Sequence, residues 1–194
     1  MEKELYNNFL SLKNRVWKTY KSRINTAERL KKNNEFIAFL SIYYSAVLAA
    51  VSILNYVNKN QNMDVCTIVL SVMVTILFLY FEGRNYKERY IKMKTNYNEL
   101  NLLYYKIECA IELKNMNKDI FEKFSKNYIE LLDGVENHLE KDYIKYALKD
   151  KEVSVDKFSI FKYYLWLALI NILKLFVFLI PTTILIISFK QLIL

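Results

Sequence analysis

The chain has 194 residues, 54% of them apolar and 25% charged, with a formal net charge of +8. Two glycines and one proline exclude a turn-rich sheet architecture and point to long helices. So apolar and so charged a chain must segregate the two classes into blocks, and the expected fold is all-α, an integral membrane helical hairpin with long cytoplasmic helices and a third apolar segment at its C-terminal end.

Residues 1–35 read as a cytoplasmic amphipathic helix, with Leu5, Phe9, Leu12, Val16, Tyr20, Ala27 and Leu30 recurring at spacings of three, four or seven. Nothing breaks this helix before Phe36, so it runs straight into the membrane or lies on its surface. Its acids and modest apolar face favour packing on another helix. Residues 36–57 carry no charge, Gly or Pro, and at about 1.5 Å per residue they suffice to cross a bilayer's hydrocarbon core. A second uncharged run, 65–81, follows the short connector 58–64. Helices so closely joined lie antiparallel, each satisfying its backbone internally in lipid, and 36–81 is expected to be a transmembrane hairpin. The alternative is a buried hairpin in a soluble protein, where two such runs seldom lie side by side. Ser41, Ser45, Ser52 and Asn55 share one face of the first span, and Thr67, Ser71 and Thr75 recur every four residues in the second. Small polar side chains let helices pack closely; the functional reading is that these stripes line a water path when several subunits assemble.

Beyond Phe81, Tyr86, Tyr90, Met93, Tyr97, Leu100, Tyr104, Ile107 and Ile111 alternate steps of four and three, a heptad seam suited to coiled-coil packing. A turn is expected around 115–119. Phe121, Phe124, Tyr128, Leu131, Val135, Leu139 and Tyr146 then mark a returning arm over 120–149, in which Gly134 lowers helix propensity. The region 82–149 is thus expected to be a cytoplasmic helical hairpin, followed by a linker, 150–159, and a membrane segment, 160–194. The last is interrupted by Lys174 and Pro181. It reads either as a spanning helix kinked near Pro181 or as a re-entrant or interfacial segment, because a lysine at a helix centre costs about 2.5–3.5 kcal/mol. Lys174 shares a face with Asn171. An intramembrane charge is a candidate for the conduction path or gate; the rival reading has it reach lipid phosphate or an interface carbonyl.

Residues 1–35 carry nine Lys and Arg against four acids, and 82–159 carry fifteen of each, with Arg84, Lys87, Arg89, Lys92 and Lys94 directly after the second apolar run. The positive-inside rule therefore puts the N-terminus and the central region in the cytoplasm. Arg23, Arg29, Arg84, Lys87 and Arg89 are candidate contacts for an anionic ligand or for lipid headgroups. No cleavable signal peptide is expected. Cys66 and Cys109 fall in different environments and suit a reducing compartment. With His138 the single histidine, and with no Gly-rich phosphate loop, paired-Cys spacing or GxSxG turn, neither an enzyme nor a metal site nor a cofactor is expected. His138 itself reads as a helix-face polar residue, a ligand contact or a pH-sensitive group.

Two blocks carry a specific likeness. WKTYKSRINTAERLKKNNEF running into YYSAVLAAVSIL, and YIELLDGVENHLEKDY downstream, resemble the SLATT superfamily of bacterial conflict-system membrane effectors. The likeness rests on Trp17, Arg23, Ala27, Arg29, Leu30, Tyr44, Ser45, Glu136, Asn137, His138 and Asp142. The third apolar segment departs from the two-span pattern. The resemblance implies an antiviral effector of the bacterial inner membrane. Such an effector is coupled to a nucleotide-generating synthase, a nucleotide sensor or a reverse transcriptase, and answers a nucleotide second messenger or an oligonucleotide. Together these readings lead to the expectation of a homo-oligomeric gated pore; the alternative is a non-conducting, membrane-anchored coiled-coil scaffold.

Overall fold

A computed structural model describes residues 2–58, 61–150 and 155–193. Among them the regular elements are helices: α1 (Glu2–Asn58), α2 (Gln61–Glu82), α3 (Tyr86–Glu112), α4 (Lys118–Asp133), α5 (Glu140–Ala147) and α6 (Lys157–Ile193). The fold is all-α, as expected. Contacts divide the chain into a polar unit, residues 1–31 with 87–160, and an apolar unit, residues 32–86 with 161–194. Residues 59–60 of the expected connector and 151–154 of the expected linker lie outside the described residues.

The polar unit is built on the periodic face of α1. Phe9, Leu12 and Val16 are fully buried in one cluster with Leu100, Leu103 and Ile107 of α3 and Tyr128 of α4. The Phe9 ring lies 5.4 Å from Phe121 and 6.3 Å from Phe124, centroid to centroid. Burying side chains of this size contributes about 1.5–3 kcal/mol each, so packing of this stripe, more than helix propensity, stabilises the unit. Along α3 the buried line runs through Met93, Asn96, Leu100, Leu103, Ile107 and Ala110. Tyr97, Tyr104 and Ile111 of the expected seam are half-buried beside it. At Tyr104 the hydroxyl accounts for the offset: Oη donates to Glu108 Oε1 at 3.3 Å, which keeps the ring at the rim and leaves the centre to Leu103.

After α3 the chain turns through Lys114 at φ 52°, and Asn117 caps α4, its Oδ1 accepting from the Ile120 N–H at 2.8 Å. The returning arm expected over 120–149 is not one helix: α4 ends at Asp133 and α5 begins at Glu140. The last carbonyls of α4 accept from side chains of α1 and α3, so the helix has no need of the following N–H groups to satisfy them.

In the apolar unit, α1, α2 and α6 each contain a stretch long and apolar enough to cross a membrane, and 11% of each such window is buried within the protein. The remaining surface is suited to lipid or to other chains. Asn55 and Thr67, both buried, join the first two helices through Asn55 Nδ2 donating to Thr67 Oγ1 at 3.0 Å, and Tyr44 packs edge-on to Phe78 at 6.2 Å. Pairing 55 with 67 and 44 with 78 makes α1 and α2 antiparallel. α6 runs parallel to α1: Lys174 is beside Phe36, Phe178 beside Tyr43, and the Ser188 carbonyl accepts from Asn58 Nδ2 at 3.3 Å. It continues as one helix through Pro181, with the length and apolarity to cross a membrane.

Candidate functional site

The polar unit concentrates its buried charge where α1 meets the α4–α5 junction. Arg23 is fully buried, and its guanidinium donates to Asn96 Oδ1, to the Leu131 carbonyl at 2.7 Å and to the Leu132 carbonyl at 3.1 Å. These are last-turn carbonyls of α4, so a cation closes the negative end of that helix. Burial pulls the Arg23 pKa below the usual guanidinium range, and Asn96 Nδ2 adds a second donor to the Leu131 carbonyl at 2.8 Å. Nearly two turns further along α1, Arg29 meets Asp142 through Nε at 3.0 Å and a terminal nitrogen at 2.9 Å. Asp142 also accepts from Thr26 Oγ1 at 3.0 Å and from the Leu139 N–H at 3.2 Å, while its own carbonyl accepts from Asn25 Nδ2 at 2.9 Å. An anion thus opens α5 as a cation closes α4, and α1 supplies partners for both.

Between them runs the segment with Glu136, Asn137 and His138. Glu136 pairs with Arg89 of α3 at 2.5 Å, and Asn137 is exposed. His138 is half-buried. Burial lowers its pKa below the usual imidazole range; the Arg23 charge adds to this and Asp142 opposes it. Trp17 packs on Tyr104 at 4.9 Å under the Lys21 ammonium. Of the candidate anion contacts, Arg23, Arg29 and Arg89 direct donors to these partners within the unit, Lys87 is exposed, and Arg84 donates to Tyr80 Oη at 2.5 Å. Asn25, Thr26 and Asn96 were not singled out from the sequence. Asn96 was detectable in principle, as an amide at a heptad step between Met93 and Leu100.

The candidate pore residues divide. Asn55 and Thr67 are buried and bonded to each other, whereas Ser45, Ser52, Thr75 and Asn171 are exposed. Ser41, Ser71 and Thr75 donate to carbonyls of their own helices, Ala38, Ile68 and Ser71, at 3.0, 2.7 and 2.8 Å. The Lys174 ammonium lies 4.8 Å from the centroid of the Phe36 ring, a cation–π contact. Phe36 begins the apolar run of α1, so this charge is level with one end of that run rather than its middle.

Pro181 makes the second constellation. A proline inside a helix has no N–H for the carbonyl four residues back and crowds the preceding turn, and in hydrocarbon a freed carbonyl needs another donor. Here Tyr44 Oη donates to the Val177 carbonyl at 2.9 Å and Tyr43 Oη to the Phe178 carbonyl at 3.1 Å. Thr182 Oγ1 also donates to Phe178, and stands 3.2 Å from Tyr43 Oη. Tyr44→Phe is expected to destabilise the apolar unit by about 0.5–2 kcal/mol. Pro181→Ala restores the missing N–H, so the same tyrosine change made in that background should cost measurably less. A double-mutant cycle on detergent-solubilised protein, read by thermal unfolding, checks this.

Residues 6–188 match the family described as SMODS and SLOG-associating 2TM effector domain family 5. That description counts two transmembrane segments, whereas three helices here have the length and apolarity to span, and the match extends over the third. No curated protein and no solved structure matches the chain.

Proposed function

This chain belongs to the SMODS and SLOG-associating 2TM effector domain family 5, and from that membership we propose that it is a homo-oligomeric membrane pore of a bacterial antiviral defence system. The observation that carries the reading is the exposed polar stripe of Ser45 and Ser52, with Thr75 on the neighbouring helix. These side chains are exposed within apolar runs, a placement that packing between the described helices does not explain. Several copies brought together could enclose them around water. The Lys and Arg balance supports an orientation in the bacterial inner membrane with the polar unit in the cytoplasm. A nucleotide, an oligonucleotide or a protein signal would act there by binding one of two states better, and α1, unbroken from Glu2 to Asn58, offers a continuous mechanical link.

Lys174 and Asn171 are assigned to the mouth of the path, where the ammonium would favour anions or impede cations. Replacing Lys174 with leucine should alter ion flux through proteoliposomes and killing of host cells while the protein still inserts. Flux and killing equal to the parent's would remove Lys174 from the path. A non-conducting scaffold is the second reading, favoured by an exposed apolar stripe on α3. Protein that binds a partner yet passes no ions under any signal would select it.

A further inference from the structure

The polar unit leaves one apolar surface uncovered. Beside its buried line, α3 carries Leu102 and Tyr105, and the turn directly after it carries Leu113; the three are 55%, 54% and 78% exposed. With Ile120 and Phe124 of α4 they line a groove of about 540 Å³. In a water-facing unit, such a surface marks an interaction site more often than chance. The groove lies between two helices joined by a short turn, a shape that takes a third helix with apolar anchors at i, i+3, i+4 and i+7.

The charges on the groove select among occupants. Lys106 and Lys123 stand in its lining, and among the described residues no aspartate or glutamate joins them. A second copy docking by two-fold symmetry would bring the same two lysines from each copy into one interface, and a flat bilayer does not follow a concave groove to its floor. We infer that the α3–α4 groove is the docking site for an acidic amphipathic helix of another protein, whose apolar face covers Leu102, Tyr105 and Leu113 and whose acids meet Lys106 and Lys123. The inference does not depend on ion conduction.

Cys109 lies in the groove and is exposed, which supplies a reporter. The experiment uses the full chain in phosphatidylcholine nanodiscs, with Cys66→Ser leaving Cys109 as the one thiol. Maleimide labelling of Cys109 is followed while a stapled helical peptide is titrated in. The peptide carries leucines at i, i+3, i+4 and i+7 and glutamates along both flanks; a control keeps the leucines and carries lysines instead. The acid-flanked peptide should slow labelling at concentrations about tenfold lower than the control, and Lys106→Glu with Lys123→Glu should invert that order. Equal protection by both peptides, protection by neither, or an order unchanged by the charge reversal would overturn the inference. Protection produced only by raising protein concentration, or only by phosphatidylserine vesicles, would also overturn it, assigning the groove to a second copy or to lipid.

Discussion

Asp142→Ala should destabilise the polar unit by about 3–5 kcal/mol. The carboxylate is 4% exposed and pairs with Arg29, itself 19% exposed, so truncation strands a largely buried guanidinium. It also removes one acceptor of Thr26 Oγ1 and the acceptor for the Leu139 N–H at the start of α5, an end that then lacks its cap and keeps Glu140 alone as favourable charge. Asp142→Asn keeps the shape and one acceptor oxygen and should cost less. Thermal unfolding of the detergent-solubilised chain measures both values. Limited proteolysis should find the 134–139 junction cut faster in the alanine variant. A loss below about 1 kcal/mol, the range of exposed ion pairs, would mean that the junction is not held by this carboxylate.

Arg23→Met should cost about 2–4 kcal/mol. Methionine fills much of the same space, so the loss comes from polar groups: the Leu132 carbonyl and Asn96 Oδ1 lose their donor, while the Leu131 carbonyl retains Asn96 Nδ2. Relief from burying the guanidinium, whose Nε has no hydrogen-bond partner among the described residues, offsets part of this. Arg23→Lys should not rescue, because one ammonium cannot reach three acceptors spread over a planar fork. The pH dependence gives a separate signature. With its pKa lowered on folding, His138 penalises the folded state when the unfolded chain takes up a proton that the folded one refuses. Its contribution to stability is therefore full above about pH 6.5, the titration point of free imidazole, and is lost as the pH falls toward the folded value. Removing the Arg23 charge raises the folded pKa, so the variant should lose less stability than the parent over that acid window. The Arg23 and Asp142 effects should not add, since both side chains hold the same junction between α4 and α5.

What was legible beforehand follows from which side chains encode their environment. Phe9, Leu12, Val16, Ala27 and Leu30 announce a buried stripe by spacing alone, and all five are buried. The uncharged runs announce membrane helices by length. Arg23 gave the opposite signal, because a charged residue on an amphipathic helix normally faces water. Its acceptors are two backbone carbonyls and an amide more than seventy positions away, and carbonyls have no identity in a sequence. The expected arm divides at 134–139, where Gly134, flagged by its low helix propensity, ends α4; what stayed hidden is that Arg23 of α1 takes up the last carbonyls there. At Pro181 the need for a donor could be deduced, but not that adjacent tyrosines on α1 would supply it. On α3 periodicity located the helix face to within one position, and the Tyr104 hydroxyl left the buried line to Leu103.

The direction of α6 sets a parity for the whole molecule. Two of the three long apolar helices point one way and α2 returns against them, so a chain threaded through a bilayer in this manner crosses an odd number of times. The start of the first crossing and the end of the third would then lie on opposite sides of the bilayer. A two-pass hairpin returns to the side it left; a three-pass chain does not.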